Sequence, residues 1–365
     1  MEEAKLNSLL QILQHFPEVG PVKEIVALTS GLINQTYRVV TEDPAACDYI
    51  LQRVNHQVFT NVPLLQRNIE LVTRHIRQKL EAKGEEDIDR KVLRFIPTEE
   101  EVTYYFTGEG YWRVCAFIPD SMTLDAVTPE TSYLVGVKFG EFEAMLADLP
   151  ETLGETIPDF HNMEFRLKQL QEAVAADKAG RLAEVQPLVD DILKDADEMC
   201  SAERLYSEGK LPKRICHCDT KVSNMMFDKS GEVLCVIDLD TTMPSFVFSD
   251  FGDFLRSAAN TAPEDEPDVD KIHFNEEVFK SFAKGYIESA SSFLTPLEKE
   301  MLPYAVALFP YMQAVRFLAD YLNGDTYYQI KYPEHNIVRT RAQYKLYQEV
   351  RKATPMMKEF IASIG

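Results

Sequence analysis

The sequence has little positive charge for its length. Its 365 residues include 38 Lys and Arg against 59 Asp and Glu, which gives a formal net charge of −21. Proteins that bind nucleic acid or anionic membrane surfaces usually cluster positive charge on one face. The composition therefore argues against nucleic-acid and membrane partners, and it favours ordinary cytosolic solubility.

Long apolar runs, repeats and low-complexity tracts are also missing. No segment approaches the ~20 consecutive apolar residues that a membrane-spanning helix needs. The first residues, Met1-Glu2-Glu3, are acidic and do not begin a secretory signal. We therefore expect a cytoplasmic protein with reduced cysteines. No feature of the sequence indicates an oligomeric state.

Two of the six cysteines, Cys216 and Cys218, alternate around His217. Such alternation is typical of the buried end of a strand. A Cys-x-Cys zinc site is the alternative. It is disfavoured because no second Cys or His pair lies at ligand spacing.

The pattern of apolar residues divides the chain into two lobes, as its length also suggests. After a short helix at 5–16, the first third is rich in strands and contains one long helix. The expected strands are 22–28, 36–41, 48–54, 102–106 and 111–118, with the helix at 63–80. Beyond Pro119 the pattern is mainly helical, at 131–149, 164–207 (broken), 275–292, 296–322 and 338–361. The prediction is an α+β bilobal fold, with a β-rich lobe at 1–118 and a larger, mainly α-helical lobe at 119–365.

The most informative stretch runs from His217 to Asp240. It has the spacing His-x-Asp-x-x-x-x-Asn, followed by an apolar strand, a polar turn and a second apolar strand that leads to Asp238. Phosphoryl transfer from ATP needs a carboxylate that receives the acceptor's proton and oxygen ligands that hold magnesium. We expect His217 to brace this loop by hydrogen bonds. The alternative is a solvent-exposed loop with a hydrogen-bonded histidine, which the hairpin and its terminal acids disfavour.

The polar residues of this stretch have distinct predicted roles. Asp219 would act as the base and Lys221 would reach the γ-phosphate. Asn224 and Asp238 would ligate Mg²⁺ through oxygen atoms. Strand alternation would place Asp240 on the same face as Asp238, where it could also bind the metal.

His-x-Asp-x-Lys-x-x-Asn followed by Ile-Asp resembles the catalytic and metal-binding loops of the protein-kinase-like superfamily. The nearest branch is the group of aminoglycoside phosphotransferases and choline kinases. Within it the chain is most similar to the N-acetylhexosamine 1-kinase family, through the segments 217–221, 237–244, 250–253, 318–325 and 339–343. The segment 249–256 resembles that group's stretch after the metal aspartate, and it is also compatible with a helix N-terminus capped by Ser249 or Asp250.

The resemblance implies a nucleotide site in the first lobe. A phosphate-covering loop would contain Ser30 and Asn34, although one glycine is a weak signal for such a loop. The third strand carries Gln52 where a phosphate-binding lysine or arginine is expected, so Arg53 is the candidate cation. Its possible helical partner is Glu70, which is otherwise an ordinary solvated acid. The adenine would meet the main chain near Cys115 and Phe117.

The acceptor would bind in the helical lobe. Arg316, Asp320 and Tyr321 are polar residues on an otherwise apolar helix, so they need partners, which could be the substrate or one another. The resemblance implies a reaction in which ATP and an N-acetylhexosamine give ADP and the sugar 1-phosphate. The alternatives are a kinase for choline, homoserine, methylthioribose or an aminoglycoside, and a catalytically inactive kinase-like binding module.

Overall fold

The computed structural model describes residues 3–28 and 33–364. The chain divides into two compact units. The first comprises Met1–Thr123, Asp148–Pro158 and Met225–Met243, and the second comprises Leu124–Ala147, Asp159–Asn224 and Pro244–Gly365. The first unit thus extends five residues beyond the predicted lobe boundary at 118, and two later segments of the chain return to it.

The first unit is built on an antiparallel five-stranded sheet with the order β1-β2-β3-β5-β4. These strands are β1 (Val22–Leu28), β2 (Gln35–Thr41), β3 (Tyr49–Val54), β4 (Tyr105–Phe106) and β5 (Tyr111–Ala116). One residue in two along β2 is buried, as expected of a sheet with one face against a core. Helix α1 (Glu3–Leu13) contributes Leu9, Ile12 and Leu13 to that core.

Helix α2 (Val62–Ala82) lies between the third and fourth strands, as predicted. Asn61 caps it, because its side chain accepts a hydrogen bond from the Leu64 N–H, and a proline stands in its first turn. Its apolar face includes Leu65, Ile69 and Val72, all fully buried. The short helix α3 (Ile88–Lys91) follows.

The strand predicted at 102–106 is wrong over most of its length. Only Tyr105–Phe106 is extended and paired, against Trp112 and Tyr111. Before it the chain turns, with Glu101 at φ 61° and a hydrogen bond from Thr98 N to the Val102 carbonyl. Apolar alternation therefore indicated a strand where the backbone makes a turn.

The hairpin predicted after the motif is confirmed. Its strands β8 (Met225–Asp228) and β9 (Val233–Val236) are antiparallel, and β6 (Ser121–Met122) pairs with the outer side of β8. In the turn, Asp228 Oδ1 accepts hydrogen bonds from the Ser230 and Glu232 N–H groups. Gly231, at φ 91°, supplies the left-handed residue that the turn needs.

The second unit is mainly helical, as predicted. Its longer helices are α4 (Pro129–Leu146), α5 (Met163–Ala176), α6 (Leu182–Lys194), α9 (Phe248–Ala258), α10 (Glu276–Ala290), α12 (Leu302–Asn323) and α13 (His335–Ser363). The shorter ones are α7 (Ala196–Met199), α8 (Ser201–Ser207) and α11 (Pro296–Glu300). Strands β7 (Arg214–Cys216) and β10 (Met243–Ser245) form a two-stranded sheet. The predicted break within 164–207 is confirmed, whereas the helix predicted at 296–322 is interrupted at Met301.

Helices α4 and α10 approach each other closely at glycines. A Cβ on Gly136 would lie 2.4 Å from the Phe282 carbonyl oxygen, and one on Gly285 would lie 2.3 Å from the Tyr133 carbonyl oxygen. Any larger residue would push the helices apart. This contact brings Glu143 of α4 against Tyr286 of α10.

Among the described residues, no helix combines the length and the apolar character needed to cross a bilayer.

Candidate active site

The loop after β7 gathers three of the predicted catalytic and metal-binding side chains in the second unit. Lys221 Nζ donates to Asp219 Oδ2 at 2.9 Å. Asn224, in the 3-10 helix Val222–Asn224, donates from Nδ2 to the same Oδ2 at 3.0 Å and to the Asp219 carbonyl at 2.9 Å. The Asp219 carboxylate is thus oriented by a cation and an amide, while 28% of its side chain remains exposed.

His217 braces the loop from inside, which confirms its predicted role. Its Nδ1 accepts a hydrogen bond from the Asp219 N–H at 3.3 Å. The ring is fully buried and lies edge-on to Phe139 and Phe142. Cys218, which lies between His217 and Asp219, has a left-handed backbone (φ 63°). Non-glycine residues adopt this conformation only where the surroundings impose it.

Asp250 imposes that conformation from helix α9. Its Oδ2 accepts from the His217 N–H and its Oδ1 from the Cys218 N–H, both at 2.8 Å. The Thr220 hydroxyl adds a bond to the Asp250 carbonyl at 2.8 Å. Helix α9 begins at Phe248 without the side-chain cap that was the alternative interpretation of this segment, and the buried carboxylate of Asp250 holds the loop after β7 instead.

Behind Asp250 lies a buried group of acids. Glu143, Cys216 and Asp250 bring their ligand atoms within 4.8 Å of one another, and the Tyr286 hydroxyl donates to Glu143. Burial, and then the charge of Asp250, raise the pKa of Glu143 well above its usual value. Cys218 is not a member of this group, so the group differs from the Cys-x-Cys site that the sequence allowed.

In the first unit, Asp238 and Asp240 have different environments. The expectation that they share one strand face is wrong, because β9 ends at Val236 and Asp238 is left-handed at φ 59°. The 3-10 helix Leu239–Thr241 follows immediately. As a result the side chain of Asp238 is exposed, whereas Asp240 is only 2% exposed.

Asp240 is held by Arg113, a residue to which the sequence analysis assigned no function. Arg113 Nη1 donates to Asp240 Oδ1 at 2.5 Å, and the two side chains are each 3% exposed. Its Nε donates to Gln52 Oε1 and its Nη1 also to Gln66 Oε1, both at 3.0 Å. On its other side, Asp240 Oδ2 accepts from Asn34 Nδ2 at 2.8 Å. Both carboxylate oxygens of Asp240 therefore bind protein groups.

The other residues predicted to bind nucleotide lie in varied environments. Ser30 falls outside the described residues. Asn34 bonds to Asp240 and, through Oδ1, accepts from the Asn55 N–H at 2.9 Å. Arg53 points away from Gln52 along the strand and donates to the Glu109 carbonyl at 3.4 Å. Glu70 accepts from the Thr103 hydroxyl at 2.5 Å, and no ion pair joins it to Arg53 among the residues that the structure describes.

The predicted adenine-binding segment uses some of its main-chain groups within the unit. Cys115 is buried in β5, where burial raises the pKa of its thiol to about 11. The Ala116 N–H bonds to the Arg94 carbonyl at 2.9 Å, and the Phe117 N–H bonds to the Asp48 carbonyl at 2.8 Å. The guanidinium of Arg38 covers the Phe117 ring at 4.2 Å.

Of the residues predicted to bind the acceptor, Asp320 organises a loop. Its oxygens accept hydrogen bonds from the N–H groups of Thr326, Tyr327 and Tyr328 at 2.8–3.0 Å, and from Asn336 Nδ2 at 2.9 Å. These four hydrogen bonds occupy all of the about four acceptor positions that a carboxylate offers. Its predicted contact with substrate stays a prediction, as does that of Tyr321, whose buried ring is covered by Arg181 at 4.5 Å.

Arg316 belongs to a cluster of cations and aromatic rings. Its guanidinium lies 5.7 Å from the Phe160 ring centre and 5.6 Å from that of Tyr328. Arg166 bonds twice to the Phe160 carbonyl. Burial, and then the charge of Arg316, lower the pKa of Arg166 to about 10. The positive charge of Arg166 is therefore destabilised by its burial beside the charge of Arg316.

The charges of this cluster also act on His161 and extend to the loop that contains Asp219. Burial and then the charges of Arg316, Arg166 and Arg256 lower the pKa of His161 well below its usual value. Arg256 is paired with Asp253 at 3.1 Å. Burial lowers the pKa of Arg256. The charges of Asp253 and Glu264, and to a smaller extent that of Asp219, outweigh this effect and raise the pKa. Arg256 is thus within electrostatic range of both Asp219 and His161.

Comparison with known proteins identifies the family. Residues 24–283 match the model of the APH family, described as the phosphotransferase enzyme family. This chain belongs to that phosphotransferase family. The match includes the 217–240 stretch.

Solved structures agree with this assignment at the level of fold. An aminoglycoside phosphotransferase from Alicyclobacillus acidocaldarius is 13% identical with a TM-score of 0.62, over 97% of this chain and 96% of that one. A choline/ethanolamine kinase family protein from Mesorhizobium loti is also 13% identical with a TM-score of 0.56, over 99% and 98%. Spectinomycin phosphotransferase, crystallised with ADP and spectinomycin, is 12% identical with a TM-score of 0.54, over 97% and 99%. The predicted α+β bilobal, protein-kinase-like fold is confirmed.

Two residues of this phosphotransferase have oxygen atoms suited to magnesium, a hard cation that prefers oxygen ligands. Asn224 uses its amide nitrogen for both bonds to Asp219, so its amide oxygen takes part in neither. Asp238 is an exposed residue at a left-handed turn, and its carboxylate supplies oxygen atoms. Asp240 fits less well, because Arg113 and Asn34 bind its two oxygens.

Proposed function

We propose that this phosphotransferase is an ATP-dependent small-molecule kinase that phosphorylates the anomeric hydroxyl of N-acetylhexosamines. ATP and the sugar would give ADP and the sugar 1-phosphate. The observation that carries the kinase activity is the contact of Asp219 with Lys221 and Asn224 in one loop. The choice of sugar is supported by the resemblance of its motifs and by the cations around Arg316.

Asp219 is proposed to receive the proton of the sugar hydroxyl. The oxygen of that hydroxyl forms a bond to the γ-phosphorus of ATP while the bond to the leaving β-phosphate oxygen breaks. The Asp219 carboxylate has the exposure that a substrate contact requires, and its two donors fix its orientation. Lys221, with 42% of its side chain exposed, can turn towards the transferred phosphoryl group and stabilise its charge.

Magnesium is proposed to be held by Asn224 and Asp238, and when bound it neutralises charge on the phosphate oxygens. Asn224 is fixed by its bonds to Asp219, and Asp238 is an exposed residue at a left-handed turn. ADP in the spectinomycin phosphotransferase structure supports nucleotide binding by this chain.

The cation-rich cluster favours a neutral acceptor over a cationic one. Proteins recognise choline-like cations with open aromatic faces or with carboxylates. Here the rings of Phe160 and Tyr328 both face Arg316. The carboxylate of Asp320 is used by four protein donors. Guanidinium groups are instead suited to donate to the hydroxyl and acetamido oxygens of a sugar.

The deciding experiment is an acceptor panel with purified protein and MgATP, followed by ADP release. The panel contains N-acetylglucosamine, N-acetylgalactosamine, glucose, choline, homoserine, methylthioribose and kanamycin. We expect the highest kcat/KM with one of the two N-acetylhexosamines and a phosphorus NMR signal of an anomeric phosphate. A higher kcat/KM with choline or kanamycin, or a product phosphorylated at another hydroxyl, would refute the proposed substrate. Absence of ADP release with every acceptor would instead indicate the inactive binding module.

A further inference from the structure

We propose that Arg113 is a positioning residue that fixes the metal-binding turn at Asp238 by holding Asp240. The inference rests on the proposed function, because it assigns Asp238 to the metal.

Arg113 lies at the centre of a buried network within the first unit. It stands directly opposite Gln52 in the pairing of β3 with β5, so its side chain lies on the same face as the residue that replaces the expected cation. From there it bonds to Gln52 of β3, Gln66 of α2 and Asp240 after β9. Gln66 is anchored in turn by donation from Nε2 to the Thr103 hydroxyl at 2.8 Å. One guanidinium thus ties together three elements.

The charges make this network difficult to rearrange. Burial disfavours the charge of Arg113, but the adjacent Asp240, and less strongly Asp238, raise the pKa of Arg113 above its ordinary range. Removing one member of a buried pair leaves the other charge without compensation. The geometry of Asp240 is therefore constrained by its buried contact with Arg113.

The backbone transmits this constraint to Asp238. The left-handed Asp238 leads directly into the 3-10 helix that contains Asp240, and this turn is closed by a hydrogen bond from the Thr242 N–H to the Leu239 carbonyl at 3.0 Å. A second bond, from Asn34 to Asp240, connects the turn with the end of the loop between β1 and β2. Arg113 and Asn34 thus bind the two carboxylate oxygens of Asp240, which is separated from Asp238 only by Leu239.

Arg113 acts through Asp240, because it is itself only 2% exposed and its guanidinium donates to Gln52, Gln66 and Asp240. Its loss should therefore weaken metal binding at Asp238 and leave acceptor binding unchanged. Residues that support a metal ligand in this way typically contribute about 10–100-fold to metal affinity or activity.

The test uses Arg113→Met, Arg113→Lys and the charge-neutral double variant Arg113→Met/Asp240→Asn in the full-length protein. Mn²⁺ serves as the probe ion, and its binding in the presence of ADP is measured by electron paramagnetic resonance. Thermal unfolding and circular dichroism report on the fold. Glu298→Gln is the matched control, because it breaks the ion pair between the buried Glu298 and the partly buried Arg214 (3.0 and 2.9 Å) in the second unit.

We expect the double variant to fold, since it leaves no unpaired buried charge, and to bind Mn²⁺ about 10–100-fold more weakly in the presence of ADP. Arg113→Lys should be intermediate, because a lysine can pair with Asp240 but cannot hold both glutamines in the same geometry. The KM for the acceptor should change less than twofold. Glu298→Gln should lower the unfolding temperature without changing Mn²⁺ binding.

Unchanged Mn²⁺ binding by a folded double variant would overturn the inference. So would an equal loss of Mn²⁺ binding in Glu298→Gln, because destabilisation alone would then explain the result. The assay contains no acceptor. A protein that binds Mn²⁺ and ADP but phosphorylates no N-acetylhexosamine would thus refute the proposed substrate, while the role of Arg113 would still be decided.

Discussion

Asn224 binds Asp219 twice, through its carboxylate Oδ2 at 3.0 Å and through its carbonyl at 2.9 Å, with the same amide nitrogen. The orientation of the amide is fixed by these two acceptors, because a flipped amide would place oxygen against oxygen. The predicted base and a predicted metal ligand are therefore mutually oriented before any ligand arrives. Preorganisation of this kind is the main contribution that a protein makes to phosphoryl transfer.

Asp219→Asn should abolish turnover while nucleotide binding persists. An amide is a far weaker proton acceptor than a carboxylate, and general-base catalysis typically contributes about 10²–10⁴-fold to rate. We expect kcat to fall by at least about 10²-fold, with ADP affinity within about threefold of the original by calorimetry. Asp228→Asn, in the β8–β9 turn, is the matched control and should keep its kcat. Near-normal kcat in Asp219→Asn would remove Asp219 from the role of base.

Asp250→Asn should impair activity by disturbing the loop that carries the predicted base, because Asp250 accepts hydrogen bonds from two N–H groups of that loop. An asparagine can accept from only one of the His217 and Cys218 N–H groups, because its NH₂ would face the other donor. A buried N–H without a partner destabilises the folded state by about 1–3 kcal/mol, and here it would do so beside the strained backbone of Cys218. We expect a lower kcat and a lower unfolding temperature, with little change in KM for ATP. A variant with the original kcat would show that the loop holds its geometry without Asp250.

Local patterns in the sequence were sufficient to predict most elements of the fold. Helix α2 has its cap and proline at the expected start, and the β8–β9 hairpin has its turn at Asp228 and Gly231. These features depend on neighbours in sequence, so a single chain contains the necessary information. The strand at 102–106 was mispredicted because a turn around Glu101 overrode the apolar alternation.

The site was harder to predict where its geometry depends on distant residues. A charged Arg113 between the apolar Trp112 and Val114 was a usable signal, since a buried arginine needs a partner. Its partner Asp240, however, is 127 residues away, and no spacing rule joins them. The left-handed backbone at Asp238 is likewise set by tertiary contacts, so strand alternation gave the wrong face for Asp240.

Asp320→Asn should weaken acceptor binding by loosening the loop that it organises. The substitution replaces one acceptor oxygen by a donor, although Thr326, Tyr327, Tyr328 and Asn336 all donate to this carboxylate. If the loop loses about 1–3 kcal/mol of the free energy that holds its conformation, the acceptor KM should rise roughly tenfold. Steady-state kinetics should show this rise with an unchanged KM for ATP.

The matched control for Asp320 is Asp177→Asn. Asp177 also organises a turn, since its Oδ1 accepts from the Arg181 and Leu182 N–H groups at 2.9 and 3.0 Å. If disturbed loops in the second unit affected kinetics in general, both variants would raise the acceptor KM. An effect confined to Asp320→Asn is the expected outcome, and an equal effect in both would contradict a specific role for the Asp320 loop.

The stability of the protein should fall as pH rises through the range in which Glu203 titrates. Glu203 Oε1 accepts from the Met163 N–H at 2.7 Å, whereas its buried Oε2 has no hydrogen-bond partner among the described residues. Burial, opposed in part by the Met163 N–H, raises the pKa of Glu203 from 4.5 to about 7. Between these two values the unfolded chain has lost the proton that the folded protein still holds. Folding therefore becomes less favourable with rising pH.

Glu203→Gln isolates this contribution, because a glutamine keeps an acceptor for Met163 and cannot ionise. The variant and the original protein should have similar free energies of unfolding near pH 4.5. At pH 8 the variant should be more stable, by about 3 kcal/mol at most, since each unit of pKa shift corresponds to ~1.4 kcal/mol. Urea unfolding at pH 5, 6, 7 and 8 measures the difference. Glu164→Gln is the control, because it removes a neighbouring exposed charge and should leave the pH dependence of stability nearly unchanged. The expectation would be contradicted if the free energy of unfolding of Glu203→Gln followed pH in parallel with that of the original protein. The Glu203 carboxyl would then ionise as freely in the folded protein as in the unfolded chain.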